Sequence, residues 1–96
     1  MKYTITTLSG DRIPPDRPRI ARLSRPPWAA KFRFFTHEAV GTDPLLPPLY
    51  SVSELKTGRR IGLPAATRAG AVENAQARLK QKGYRAFCGA IKKQQP

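Results

Sequence analysis

Residues 49–63 read LYSVSELKTGRRIGL, and this stretch decides the fold. Before Gly58, apolar side chains alternate with serines, a pattern typical of a strand with one buried face. A second apolar run follows Gly58 and stops at Pro64. This spacing predicts a tight hairpin with strands over 49–55 and 59–63, in which Gly58 takes a left-handed conformation at a bulge.

A helix is predicted directly after the hairpin. Thr67 is a good N-cap, and the helix runs to about Lys82, where Gly83 suits the position after the last turn. Beyond Gly83, apolar residues recur at helical spacing over 84–93, which predicts a short second helix, with a final strand as the alternative. The main helix has a narrow apolar stripe, formed by Ala71, Val72, Ala75 and Leu79.

The chain before the hairpin contains two predicted strands and a proline-rich segment between them. Lys2 to Leu8 alternates and is rich in β-branched residues. Asp11 to Pro27 holds five prolines and five arginines, so we expect an extended arm or long loop, with a short turn around Arg19 to Leu23. Trp28 to His37 is predicted to be the main core strand. Phe35 falls on the polar face of this strand, which indicates that the polar face is partly covered by protein near Phe35.

These elements predict an α+β fold. Strands followed by helices favour a three- to four-stranded antiparallel sheet with one main C-terminal helix and a short second helix. The chain has 96 residues, too few for two hydrophobic cores, so we expect a single domain over 1–96. Within it, the arm occupies 9–27 and the α+β core occupies 28–96.

The charge of the chain is strongly positive. Lys and Arg number 18 against six Asp and Glu, which gives a net charge of +12. A positive field of this size attracts polyanions. We therefore expect the basic surface to bind nucleic acid and not only to keep the protein soluble. One cysteine excludes an internal disulfide and fits a reducing cytoplasm. The N-terminus lacks the apolar run of a signal peptide, and no stretch resembles a membrane span.

Catalysis has little support in the residue inventory, and we expect no enzyme, no cofactor and no metal site. His37 is the one histidine, and we interpret it as a surface side chain of a strand. Cys88 lies at an apolar helical position and is interpreted as a small buried thiol. A small hydrolase that uses His37 or Cys88 remains the less favoured alternative.

Three basic segments are candidate phosphate-binding surfaces: the arm, the hairpin tip and the C-terminal helices. None of them shows a pattern that reads bases, so we expect contacts to phosphates alone. For the arm, a solvated linker is an equally good interpretation. The candidate nucleic-acid-binding residues are Arg17, Arg19, Arg22, Arg59, Arg60, Arg78, Lys82 and Arg85.

The order of elements from Leu49 to Lys82 resembles the end of a double-stranded-RNA-binding domain. That family has a basic cluster at the start of its last helix, where this chain has only Arg68, so its RNA contacts are not carried over. The run Val52 to Gly62, followed by the Thr-capped helix, resembles small uncharacterised proteins of bacterial phages and plasmids. This second resemblance implies an accessory or inhibitory binding protein of a mobile element.

Two functions follow as hypotheses. The first is a non-enzymatic accessory protein that binds the phosphates of DNA or RNA. The alternative is an adaptor or inhibitor that docks on an acidic protein surface through the proline-rich arm. The oligomeric state and the choice between DNA and RNA stay open.

Overall fold

The computed structural model describes residues 3–6, 11–39, 45 and 47–94, with side chains up to residue 90. The predicted connection over 41–48 and the ends of the first predicted strand lie largely outside the described residues. In chain order the elements are β1 (Ile5–Thr6), β2 (Arg12–Ile13), β3 (Arg19–Ala21), a 3₁₀ helix (Pro27–Lys31), β4 (Phe34–Glu38), β5 (Tyr50–Glu54), β6 (Arg60–Ala65), α1 (Arg68–Lys82) and α2 (Tyr84–Gln94).

The strands form two antiparallel sheets. β1 pairs with β2 in a small two-stranded sheet, and the main sheet has four strands in the order β3-β4-β5-β6. Together with the main C-terminal helix and the shorter second helix, this arrangement confirms the predicted α+β fold.

The hairpin β5–β6 forms as predicted around Gly58, which has φ +72°. A Cβ at Gly58 would lie 2.6 Å from the carbonyl oxygen of Thr4, so a larger residue does not fit. The prediction that Pro64 ends the second strand is wrong, because β6 continues to Ala65. β6 is an edge strand with a register shift, and an edge strand tolerates a residue without an N–H donor.

Helix α1 covers one face of the sheet. Its N-cap is Thr67, whose side chain accepts a hydrogen bond from the Gly70 N–H at 3.0 Å, and Gly83 ends it with φ +86°. Both ends agree with the sequence prediction. The core between sheet and helices is formed by Leu23, Ala29, Phe34, Val52, Ala71, Ala75, Leu79 and Phe87.

The strand predicted over Trp28 to His37 is wrong in its first half. Pro27–Lys31 form a 3₁₀ helix, and β4 begins only at Phe34. Proline fixes φ near a helical value and is well suited to the first positions of a helical turn. The turn still buries Ala29 completely, so this segment belongs to the core although it is not a strand.

The proline- and arginine-rich segment after β1 contributes strands to both sheets. The turn predicted around Arg19 to Leu23 is wrong, because Arg19–Ala21 form β3, which pairs with β4 along one edge of the main sheet. Leu23 is 3% exposed, and the Gln76 side-chain oxygen of α1 accepts hydrogen bonds from the N–H groups of Ser24 and Arg25. This part of the chain therefore packs on the domain.

The face of the sheet opposite α1 is also covered. The Tyr3 ring packs on Phe35 in a tilted arrangement with ring centroids 5.1 Å apart, which agrees with the prediction that this face is partly covered at Phe35. The prediction that His37 is a surface side chain is wrong, since it is 3% exposed. Its Nδ1 donates to the Glu38 carbonyl at 2.8 Å, so the neutral ring accepts at Nε2 from the Ser53 hydroxyl at 2.7 Å.

Candidate anion-binding cleft

A cavity of about 150 Å³ opens between the β5–β6 hairpin and the two helices, and we call it the basic cleft. Its apolar floor includes Leu79 and Phe87, and four of its lining residues are cationic. The lining is formed by Glu54, Thr57, Arg59, Arg60, Ile61, Gly62, Arg78, Leu79, Lys82, Phe87 and Ala90.

Gly62 allows the two sides of the basic cleft to approach each other. It has φ +76°, and a Cβ there would lie 2.7 Å from the carbonyl oxygen of Asn74 in α1. The Asn74 side chain donates a hydrogen bond to the Leu63 carbonyl at 3.1 Å, which fixes the helix against β6. Arg78 lies one turn and Lys82 two turns further along α1, and they share a helix flank because they are four residues apart.

The acidic residue of this lining is Glu54, and its charge is used by the hairpin itself. Its side chain is 3% exposed. The carboxylate accepts hydrogen bonds from the backbone N–H groups of Lys56 and Thr57, at 2.5 and 2.8 Å. These donors stabilise a buried carboxylate and partly compensate its charge. Glu54 thus holds the turn that presents Arg59, and the basic cleft keeps a net positive charge.

Four of the eight predicted site residues come together in the basic cleft, namely Arg59, Arg60, Arg78 and Lys82. Arg85 is the second residue of α2, is exposed and is not part of the cleft lining. The other three, Arg17, Arg19 and Arg22, lie at the β3 edge, which β4 and β5 separate from the β6 edge where the cleft opens.

The β3 edge uses cationic side chains in internal bonds. Arg17 lies 3.8 Å from the Glu38 carboxylate. Arg68, at the start of α1, donates to the Thr36 hydroxyl at 2.7 Å and to the Arg17 carbonyl at 2.8 Å, and it lies over the Tyr50 ring at 4.8 Å. Arg68 therefore joins the helix to β4 and to the segment that precedes β3, a structural role that its sequence position does not indicate.

Sequence reasoning missed the aromatic cluster beside the basic cleft. The Phe87 ring, which lines the cleft, is 4.8 Å from Phe32 and 5.5 Å from Trp28. Tyr84 completes the cluster and is 44% exposed. The spacing of Tyr84 and Phe87 predicted that they share one face of the second helix. Their contact with Trp28 and Phe32 depends on the 3₁₀ helix, which the sequence did not predict.

The two residues of the catalytic alternative differ in burial. The His37 and Ser53 side chains are buried and bonded to each other, and burial lowers the pKa of His37. Cys88 is half-buried rather than buried, and its hydrogen bond raises the pKa of the neighbouring Tyr84. Among the described residues, no group of three or more His, Cys, Asp or Glu could hold a metal ion.

The described helices include none that is both long and apolar enough to cross a membrane. Comparisons with protein-family models, with curated proteins and with solved structures found no match.

Proposed function

We propose that this protein is a non-enzymatic, phosphate-contacting nucleic-acid-binding protein, and that the basic cleft is its principal contact. One observation carries the proposal: Arg59, Arg60, Arg78 and Lys82 line a single cavity whose acidic residue, Glu54, is bonded to backbone donors. Cations gathered around a concave surface favour a polyanion because each phosphate contact releases condensed counterions.

The chemistry of the cations supports phosphate as the bound group. Arginine presents a planar fork of donors that matches two phosphate oxygens, and three of the four cations are arginines. The net charge of +12 adds long-range attraction, which raises the association rate with any polyanion. The single cysteine is compatible with a reducing cytoplasm, and the hairpin's resemblance to phage and plasmid proteins extends the proposal to a mobile-element accessory protein.

The second candidate partner is a protein with an acidic surface, which would dock along an open edge of the main sheet. Both edge strands of the main sheet carry an exposed apolar side chain, Ile20 on β3 at 51% and Leu63 on β6 at 71%. An open sheet edge can accept an added strand from a partner. This candidate predicts a stoichiometric protein partner that is captured from lysate and survives nuclease treatment.

The proposal is tested by fluorescence anisotropy with a labelled oligonucleotide over a series of salt concentrations. Arg78→Gln with Lys82→Gln is compared with Arg17→Gln and Arg22→Gln, a control that removes the same charge at the β3 edge. We expect the cleft variant to lose about 100-fold in affinity, about tenfold for each charge-assisted bond. Its salt dependence should become less steep by about 1.8, since each phosphate contributes about 0.9.

Two results would contradict the proposal. The first is that the wild-type chain fails to bind any oligonucleotide at low salt. The second is that both double variants lose the same affinity, which would mean that net charge and not the basic cleft determines binding.

A further inference from the structure

We propose that the chain binds single-stranded rather than duplex nucleic acid, with the backbone in the basic cleft and a base in an adjoining apolar recess. This inference rests on the proposed function and names its ligand class. The inference depends on a second cavity, on the aromatic cluster beside this cavity, and on the position of both next to the basic cleft.

The recess is a cavity of about 450 Å³ between the 3₁₀ helix and the hairpin turn. Half-buried Phe32 and Leu55 provide its apolar wall, and three exposed cations surround it. Its lining is formed by Lys31, Phe32, Arg33, Glu54, Leu55 and Lys56. A concave apolar surface ringed by cations matches a nucleotide, which carries a flat apolar base on a charged backbone.

The recess adjoins the basic cleft. Glu54 lines both cavities, so they meet at this residue. On the other side of the contact, the Phe87 ring of the cleft lies 4.8 Å from the Phe32 ring of the recess, edge to face. A strand whose phosphate lies in the cleft therefore has the recess directly beside it.

The form of the recess distinguishes single strands from duplexes. In a duplex the faces of the bases are stacked on each other and only their edges reach the grooves, so no base face is available to Phe32. In a single strand every base has a free face, and aromatic side chains bind such faces with little sequence preference. The Glu54 carboxylate at the boundary between the cavities is 3% exposed and accepts hydrogen bonds from two backbone N–H groups, and the cations that line the two cavities outnumber it.

Anisotropy with labelled oligothymidylate and with a duplex of equal length tests the inference. We expect the single strand to bind at least about tenfold more tightly than the duplex at equal salt, the contribution of one stacked base. Phe32→Leu keeps an apolar side chain and should remove most of this preference. Tyr3→Leu is the matched control, because Tyr3 stacks on Phe35 on the opposite face of the sheet.

The single tryptophan gives an independent readout of the same event. Trp28 lies 6.1 Å from Phe32, so a base in the recess should change its fluorescence, whereas duplex should leave it nearly unchanged. If Phe32→Leu fails to fold, Arg33→Gln with Lys56→Gln replaces it. Both residues are exposed, and their loss should weaken single-strand binding more than duplex binding.

The outcomes separate the two proposals. The single-strand inference is overturned if the duplex binds equally well or more tightly, or if both recess variants keep full affinity for the single strand. In either case a loss of oligonucleotide affinity in the Arg78 and Lys82 variant still supports the basic cleft. Absence of binding to either nucleic acid at low salt overturns both.

Discussion

The two edges of the main sheet carry similar numbers of cations and use them differently. At the β3 edge, Arg17 faces the Glu38 carboxylate, and Arg68 donates to a hydroxyl and a carbonyl of the protein. At the β6 edge, cations from the hairpin and from α1 converge on the basic cleft, and the acidic residue there is bonded to the backbone. The same residue types thus hold the fold together at one edge and surround a cavity at the other.

This difference shows that total charge is a poor guide to a binding surface. Cations that donate to carboxylates, hydroxyls and carbonyls of the protein have fewer free N–H donors for a ligand, whereas cations around a cavity are desolvated together when an anion binds. Four substitutions test this difference. Those at Gly62 and Glu54 change the β6 edge, the one at Arg68 changes the bonds near the β3 edge, and the one at His37 removes the buried histidine.

The largest effect is expected from Gly62→Ala. An alanine at this position would have an unfavourable positive φ, and its Cβ would approach the Asn74 carbonyl to 2.7 Å, so α1 must move away from β6. We expect the free energy of unfolding to fall by about 3 kcal/mol, from backbone strain plus overpacking. Urea denaturation measures this loss, and the variant should also lose oligonucleotide affinity because the basic cleft widens.

Gly89→Ala provides the control for Gly62→Ala. A Cβ at Gly89 meets nothing within 4 Å, and the residue lies inside α2. Replacing a helical glycine by alanine should raise stability by about 0.5–1 kcal/mol. If Gly62→Ala were equally well tolerated, close packing of α1 on β6 would not be what forms the basic cleft.

Glu54→Ala should have the next largest effect. The change leaves the N–H groups of Lys56 and Thr57 without their buried acceptor, at a cost of about 2 kcal/mol in the free energy of unfolding. Glu73→Ala is the matched control, because its carboxylate is largely exposed and its 3.6 Å pair with Arg25 should contribute less than about 0.5 kcal/mol. Equal losses in thermal denaturation would show that Glu54 does not hold the turn.

Arg68→Lys tests the β3 edge. Lysine cannot donate to the Thr36 hydroxyl and the Arg17 carbonyl while its charge lies over Tyr50, so we expect a loss of about 1 kcal/mol in stability. Oligonucleotide affinity measured below the unfolding transition should stay unchanged. Arg85→Lys, at an exposed position, should change neither quantity. A loss of affinity in Arg68→Lys would mean that the β3 edge also contacts the ligand.

The smallest effect is expected from the titration of His37. Burial lowers its pKa below the ordinary 6.5, so the unfolded chain binds a proton more readily than the folded chain. Stability should therefore be complete above about pH 6.5 and decline as the pH falls below it. Urea denaturation at pH 7.5 and 5.5 measures this decline, which His37→Asn should lack. A wild-type stability that rises on acidification would contradict the buried neutral ring.

Predictions from the sequence succeeded where the signals were local. Gly58, Thr67 and Gly83 each mark a turn or a helix end within a few residues, and all three have the predicted roles. Prediction failed for the first half of the strand at Trp28 to His37, where Pro27 begins a 3₁₀ helix. It also failed for β3, where prolines and arginines allow several extended conformations. Pairing with β4 selects one of them, and no pattern within Arg19–Ala21 itself encodes that partner.

The sequence by itself determined the charge of the chain, the hairpin, the main helix and the α+β class, because these follow from composition and from contacts between near neighbours. Over 84–93 it left a short helix and a final strand as alternatives. Only the tertiary structure decided which cations share a site. Arg59 and Arg78 are distant in the chain and meet because Gly62 lets α1 pack closely on β6. The burial of His37 beside Ser53 was decided in the same way, because the two residues lie on the neighbouring strands β4 and β5.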